Sequence, residues 1–460
     1  MAVETVPAEE RVGITALRWT VPLAFAAFAT PVALLRYHVF LAGEDLGLYR
    51  QGLWALVHEG LRAWSSWGGY PVLARGASWI LVPLAPLYTL FGVGFLLLLQ
   101  AFAVGSGYLF LFDWMADRGA AWTAVRRLGW LYLLNPVLFG AALNDFHPLL
   151  LTVPAVLAAI TSAERGRPRA AAAWGLVALA THMLAVVAAF GAGVVWLLRR
   201  RFAWAGAALG LAAAALALDL LALGRLEPHG PVYLTVLYGS LHPAGGWARI
   251  GAALGRPSTW VWLGWLLGPF VLFGWPRRGA LWLLALVPWL WLDLSAAIPA
   301  ATDPFSQFAA PLVVPLVLAW GEGFGGGFPA RAAWPSVAMT VAVLLFFGFL
   351  VQEAGLRHQA PATHEAAALA AALAAVPPDA RVYCQDLVAP HLADRADLLP
   401  VRPGVRFAAP SVVVLDTNRS GGVPLRLVRG DAARLRQAAR TVFAEQGVYV
   451  FRLSRPVQGV

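Results

Sequence analysis

Gly43-Glu44-Asp45-Leu46-Gly47-Leu48-Tyr49-Arg50-Gln51-Gly52-Leu53-Trp54 is the stretch around which this chain is organised. It follows the first long apolar run, residues 19 to 35, so two adjacent carboxylates stand where a membrane helix would leave lipid. An acid pair there is costly unless water, a cation or a substrate offsets it. Leu46 to Gly60 then read as an amphipathic helix lying on the membrane surface.

The rest of the chain supports that frame. Hydrophobic residues make up 60% of the 460 positions and charged ones 13%, with long uncharged runs. This is the composition of a polytopic α-helical membrane protein. All the basic residues are arginine, and the net charge is +10. In a membrane protein arginines report topology before they suggest nucleic acid, so no nucleic-acid partner is expected. The single cysteine, Cys384, excludes an internal disulfide and a cysteine metal cluster. No short apolar segment with a cleavage site opens the chain, so the first span is expected to be retained.

Working outward, spans are expected at about 19–35, 93–112, 128–143 and 149–163, then a helical hairpin over 170–198 turning at Thr181-His182. Further spans follow at 202–223, 260–275, 281–298, 309–320 and 336–351. Residues 78–91 hold Pro83 and Pro86 and are too short to cross, so they read as interfacial. The arginine clusters at 118–127, 165–169 and 199–201 should share the cytoplasmic side, and only a hairpin between the last two allows it. The result is about eleven spans, with the N-terminus inside and the C-terminus outside. Residues 1–352 form the transmembrane domain, with a first outer loop at 42–92. Residues 353–460 alternate helix-like and strand-like patterns and read as a small extracytoplasmic α/β domain, with strands at 381–385, 411–415 and 448–453 and helices at 364–376 and 430–446.

With that topology Glu44, Asp45, Asp145, His147, His182, the 225–257 loop with Tyr233, Asp303 and the C-terminal domain all face outward. The glycines at 321–327 lack the Lys and Ser/Thr of a nucleotide-triphosphate loop. Asp45 is a candidate general base or ligand for a divalent cation. The plain alternative is an acid at a helix start, where Asp is favoured. Asp145 and His147 reach one ligand only if their turn is not helical; otherwise they are an N-cap and an interfacial histidine. His182 can pair with a phosphate when protonated, or sit as an interfacial histidine. Arg75 can hold a lipid phosphate or anchor at headgroups. His391 and Arg395 read as stabilising the outer domain.

The chain resembles the bacterial family of predicted membrane proteins of unknown function numbered two-zero-seven-nine. The resemblance rests on Asp45-Leu46-Gly47 with Gln51 and Trp54, on Asp145-Phe146-His147-Pro148, on Leu81 to Phe91, on Ala309-Ala310-Pro311, and on Ala389-Pro390-His391-Leu392-Ala393-Asp394-Arg395. That family is similar to the C-type fold of polyprenyl-phosphate glycosyltransferases. The resemblance implies a plasma-membrane protein that moves a sugar from a polyprenyl-phosphate donor to an acceptor outside the membrane. It makes Asp45, Glu44 and Asp145 catalytic candidates, and His147, His182, Arg75, Gln51 and Tyr233 substrate-binding ones. A divalent cation, if used, would take Asp45, Asp145 and His147. The chain departs from the pattern at Leu149, at His182-Met183-Leu184 and at Gln307-Phe308. Those departures keep an alternative open: a catalytically degraded protein that binds lipid-linked glycan or a partner without turnover. A transporter would need polar residues in mid-span, where the sequence offers only Asp219 and Asp293.

Overall fold

A computed structural model describes residues 8–120, 122–226, 243–271, 275–302, 306–324, 361 and 363–460. Tyr233, Asp303 and the expected span at 336–351 lie outside the described residues. The described chain is mostly helical, with a short antiparallel pair, β1 (Trp64–Ser65) and β2 (Tyr70–Pro71), and the remaining strands after residue 381. Among the described residues, Arg18–His38, Leu81–Ala116 and Phe202–Leu226 are long and apolar enough to cross a membrane.

The chain divides into two compact units. The first comprises Met1–Pro31, Gly76–Ile80 and Leu98–Phe349; the second comprises Val32–Arg75, Leu81–Leu97 and Leu350–Val460. Most of residues 42–92, expected to be the first outer loop, therefore belongs with the C-terminal segment, although more than 250 residues of sequence separate them.

In the first unit, α4 (Trp122–Leu133) and α5 (Pro136–Leu143) divide one expected span at Asn135, whose side chain caps α5 by accepting from the Val137 N–H at 3.1 Å. Three other expected spans begin as 3-10 turns: Pro148–Leu151 before α6 (Thr152–Glu164), Ala280–Ala285 before the helix Leu286–Ser295, and Gln307–Leu312 before the helix Val313–Phe324. Each α-helix carries proline as its third residue, namely Pro154, Pro288 and Pro315. Proline lacks the N–H for the bond to residue i−4, and its ring collides with that carbonyl. The turn before it tightens to the i→i+3 pattern instead.

The hairpin expected over 170–198 is present as α7 (Pro168–Thr181) and α8 (Ala185–Leu198), turning at His182. The arginine clusters on its two ends meet. Arg165 bonds Asp113 at 2.8 Å and Asp117 at 2.5 Å; Arg118 and Arg201 reach Glu164 at 3.2 and 2.7 Å. Arg199 pairs with Glu322, and Arg18 with Asp113 at 2.7 Å. One end of the first unit thus gathers the residues that arginine counting placed on one side.

In the second unit, the residues read as a surface helix form α2 (Glu44–Glu59), which is buried rather than laid on a surface. Leu46 through Leu53 are all buried, including Arg50 and Gln51. Two glycines permit the close packing: a Cβ on Gly47 would lie 3.0 Å from Ala389 Cβ, and one on Gly52 would lie 2.8 Å from Val72 Cγ1. Residues 81–91 are helical and belong to α3 (Leu81–Ala116), which breaks at Gly92 with φ 67° and ψ −161°. Only glycine adopts that backbone readily.

The C-terminal segment builds a five-stranded mixed sheet in the order β4-β3-β6-β8-β7, from β3 (Val382–Cys384), β4 (Leu398–Pro400), β6 (Ser411–Asp416), β7 (Arg440–Glu445) and β8 (Val448–Leu453), while β5 (Arg406–Phe407) pairs outside it with β9 (Val457–Gln458). β3 runs parallel to β4 and β6, and β8 antiparallel to β6 and β7. Its core joins Phe407, Val413, Leu415, Leu435 and Phe451. Here the structure corrects one expectation. The helix read over 430–446 spans Leu425–Ala438, and Arg440–Glu445 is a strand. Gln446 and Gly447, at φ 49° and 78°, close a two-residue hairpin into β8. Two consecutive positive-φ residues match the twist of the flanking strands.

Candidate functional site

The second unit places the acidic stretch in a charged, aromatic setting. Gly43 is the N-cap of α2, and Glu44 and Asp45 occupy its first turn, where the helix dipole favours anions. Asp45 Oδ1 accepts from Arg75 Nη2. Arg75 Nη1 donates to Tyr70 Oη at 2.9 Å, and the guanidinium lies 5.4 Å from the Tyr49 ring centroid. The pair is partly open, with side-chain exposures of 17% for Arg75 and 24% for Asp45. Burial pushes the Tyr49 and Tyr70 hydroxyls above their ordinary range, against the pull of Arg75, so both remain protonated donors.

Glu44 has a neighbour that sequence reasoning missed. Burial raises the Asp386 carboxyl to about 7, the Glu44 charge adds to the rise, and Arg402 opposes it. Asp386 packs against Gly422, where a Cβ would fall 1.8 Å from its Oδ2.

Gln51, read as a substrate contact, is spent on holding the loop. It is fully buried; its Oε1 accepts from Ser65 Oγ at 2.9 Å and the Trp67 N–H at 3.2 Å. Its Nε2 donates to Ser66 Oγ and to the Ala396 carbonyl. Arg50, also missed, donates to Tyr88 Oη at 2.7 Å, Tyr37 Oη at 2.8 Å, Asp394 Oδ2 at 2.8 Å and the Pro390 carbonyl. His391 stacks 4.3 Å from the Tyr37 ring and 4.2 Å from Phe40. Arg395 donates to the Leu392, Pro377 and Ala380 carbonyls. Arg50 and Gln51 thus tie α2 to residues 390–396, and Arg395 braces that segment from within.

The first unit brings His147 and His182 together, with ring centroids 5.7 Å apart and both rings buried. Phe308 lies 6.4 Å from His147. The turn that carries His147 is organised by Gln100, another residue sequence reasoning missed. Gln100 Oε1 accepts from the His147 N–H at 2.8 Å, and its Nε2 faces the carbonyls of Asn144 at 3.2 Å and Asp145 at 3.3 Å. Asp145 sits half-buried in this non-helical bend. His147 Nδ1 accepts from the Leu149 N–H at 3.2 Å, and His182 Nδ1 accepts from the Leu184 N–H at 3.1 Å. An accepting Nδ1 leaves the proton of a neutral imidazole on Nε2. Nε2 of each neutral ring therefore carries the proton, and that of His182 lies against Gly76, where a Cβ would fall 2.3 Å from it.

The donor set does not fit a divalent cation well. Asp45 is engaged by a guanidinium, and His147 Nε2 carries the proton where a metal would need its lone pair. The described residues contain no group of three or more His, Cys, Asp or Glu side chains arranged for a metal.

The family model described as Predicted membrane protein (DUF2079) matches residues 36–424, from the end of the first apolar helix into the C-terminal segment. The chain belongs to this family. The match takes in Asp45, Arg75, Asp145, His147, His182 and Asp394. No curated protein matches the chain. Among solved structures, the crystal structure of ArnT from Cupriavidus metallidurans in the apo state is similar at 14% identity, covering 93% of this chain and 98% of that one, with a TM-score of 0.40. At that distance the function has to be argued from the chain's own residues.

Proposed function

We propose that this DUF2079 member is a glycosyltransferase-like membrane protein that transfers a sugar from a polyprenyl-phosphate donor to an acceptor outside the membrane. The observation that carries this reading is the half-open Asp45–Arg75 pair backed by Tyr49 and Tyr70. Guanidinium binds phosphate through parallel N–H bonds. A donor phosphate that takes Arg75 from Asp45 would free the carboxylate to accept a proton from an acceptor hydroxyl. Charge on the leaving phosphate is then met by Arg75, and the Tyr70 hydroxyl, which now accepts from Arg75, turns toward the same oxygen atoms.

In the first unit, the Nε2–H of His147 is a further candidate donor to a phosphate or sugar oxygen. In this reading the site works without a divalent cation. It also places the acidic loop and the C-terminal sheet outside, the arginine end inside, and about eleven spans between them.

The test is polyprenyl-phosphate release in membranes carrying wild type or Asp45→Asn. Turnover in wild type and its loss in the variant supports the reading, since a general base contributes about 100- to 10,000-fold. Equal rates remove Asp45 from the mechanism. Binding of polyprenyl phosphate with no release across a panel of lipid-linked sugars favours a binding protein that has kept the site and lost turnover, a reading to which Leu149 and the fully committed Gln51 lend weight.

A further inference from the structure

The four helices α6, α7, α8 and α9 (Phe202–Leu226) enclose a cavity of about 380 Å³. Its wall is entirely apolar and mostly alanine, including Ala172, Gly175, Ala189, Ala208 and Leu211. It runs from Ala178 and Ala185, next to the His182 turn, to Pro168, Trp196 and Trp204 at the arginine end. That is most of the length of α7, whose 14 residues rise about 21 Å, more than one leaflet of a ~30 Å hydrocarbon core. The outer faces of the same helices expose Trp174, Leu176, Phe190, Leu198, Phe202 and Leu221, as lipid-facing helices do. The volume lies within the range of ligand pockets.

The arginine end supplies the polar complement. Asp113, Asp117, Glu164 and Glu322 are all taken up by Arg18, Arg118, Arg165, Arg199 and Arg201. Arg167 and Arg169 remain exposed, and no described acid pairs with either. They flank Pro168, which lines the cavity and is the first residue of α7. Arg167, the N-cap, makes no side-chain cap bond, so the first N–H groups of α7 and its positive dipole end face outward beside two guanidinium groups. Cationic charge, free helix N–H groups and a dry apolar slot meet within one helical turn.

We propose that this cavity holds one acyl chain of an anionic phospholipid, whose phosphate sits on Arg167, Arg169 and the start of α7. Basic pockets between membrane helices recognise anionic headgroups in this way. Its headgroup end, the start of α7, is the opposite end of that helix from the histidine pair.

Native mass spectrometry of the full chain in detergent, titrated with dioleoyl phosphatidylglycerol or dioleoyl phosphatidylcholine, tests this. Wild type should retain one phosphatidylglycerol about tenfold more tightly than phosphatidylcholine. Arg167→Gln with Arg169→Gln should make the two lipids equal. Ala208→Phe should remove retention of both, and Ala172→Leu, a smaller intrusion, should weaken it if the larger one fails to fold. Equal retention of both lipids by wild type would overturn the proposal, as would unchanged retention in folded cavity-filling variants. Displacement of the phosphatidylglycerol by polyprenyl phosphate would assign the cavity to the donor lipid instead. A dimer lost in Ala208→Phe would assign it to a second copy of the chain.

Discussion

The Arg50 guanidinium donates to Asp394 Oδ2 and to Tyr37 Oη, each at 2.8 Å, joining positions 344 and 13 residues apart in sequence. Arg50 is 7% exposed, whereas the Asp394 side chain is 51% exposed. The two partners should therefore respond differently to substitution. Arg50→Met removes a buried hub and strands Tyr37, Tyr88 and the Pro390 carbonyl; about 2–3 kcal/mol should be lost. Asp394→Asn leaves a half-exposed group that still accepts, and should cost less than about 1 kcal/mol. Thermal denaturation of the solubilised protein separates the two; equal losses would mean that the hub is not centred on Arg50.

That hub marks the boundary of what could be read without coordinates. Hydropathy found the apolar helices, and arginine counting found the α7–α8 hairpin because like clusters must return to one side. Period and composition do not reveal what packs on a charged face, so Leu46 to Gly60 read as a surface helix although Arg50 and Gln51 are both buried. The strand Arg440–Glu445 was hidden because Gln446-Gly447 acts as a turn only through two positive φ values. Of the candidate site, Asp45, Arg75, His147 and His182 were legible as chemistry-bearing residues. Gln100 and Asp386 were not: one lies in a long apolar helix, and the other acquires its high pKa only from burial beside Glu44.

Two buried groups in the second unit should give opposing pH dependence. The folded Asp386 carboxyl titrates near 7 against an ordinary 3.8, because of burial and the facing Glu44, with Arg402 opposing. The folded state then binds more protons between about 4 and 7, so stability falls as pH rises through that window. His391 is lowered to about 3 from 6.5, by burial and by the charges of Arg50, His38 and Arg419, with Tyr37 opposing. The unfolded state then binds more protons between about 3 and 6.5, so stability falls as pH drops through that window. Asp386→Asn should flatten the first slope and raise stability at pH 8. His391→Phe, which keeps the stack on Tyr37, should flatten the second. Denaturant midpoints from pH 4 to 8 would show this; unchanged slopes in either variant would contradict the assignment.

The tautomer of His147 gives a sharper test of its role than removal. Asparagine can place its carbonyl oxygen where Nδ1 accepts from the Leu149 N–H. Glutamine can place its amide where Nε2–H projects. His147→Asn should therefore keep the local cap and lose substrate affinity, while His147→Gln should lose the cap, at about 1 kcal/mol, and retain more affinity. Equal affinity in both variants, measured as polyprenyl-phosphate binding, would leave His147 with a structural role alone.

The Asp45–Arg75 pair yields the prediction with the most distinctive sign. If Asp45 holds Arg75 until a phosphate displaces it, then Asp45 opposes binding even as it serves the reaction. Asp45→Asn keeps the shape and removes the competing charge, so polyprenyl phosphate should bind about 3- to 10-fold more tightly while transfer is lost; a partly buried, solvent-reachable pair contributes on the order of 1 kcal/mol. Arg75→Gln should weaken binding and transfer together. Arg75→Lys should rescue little, because a single ammonium cannot reach Asp45 and the Tyr70 hydroxyl as the guanidinium fork does. Combining Asp45→Asn with Arg75→Gln should abolish the gain in affinity, since the gain acts through Arg75. Tighter binding that survives in the double variant would place the phosphate elsewhere, and weaker binding in Asp45→Asn alone would make the carboxylate a ligand rather than a latch.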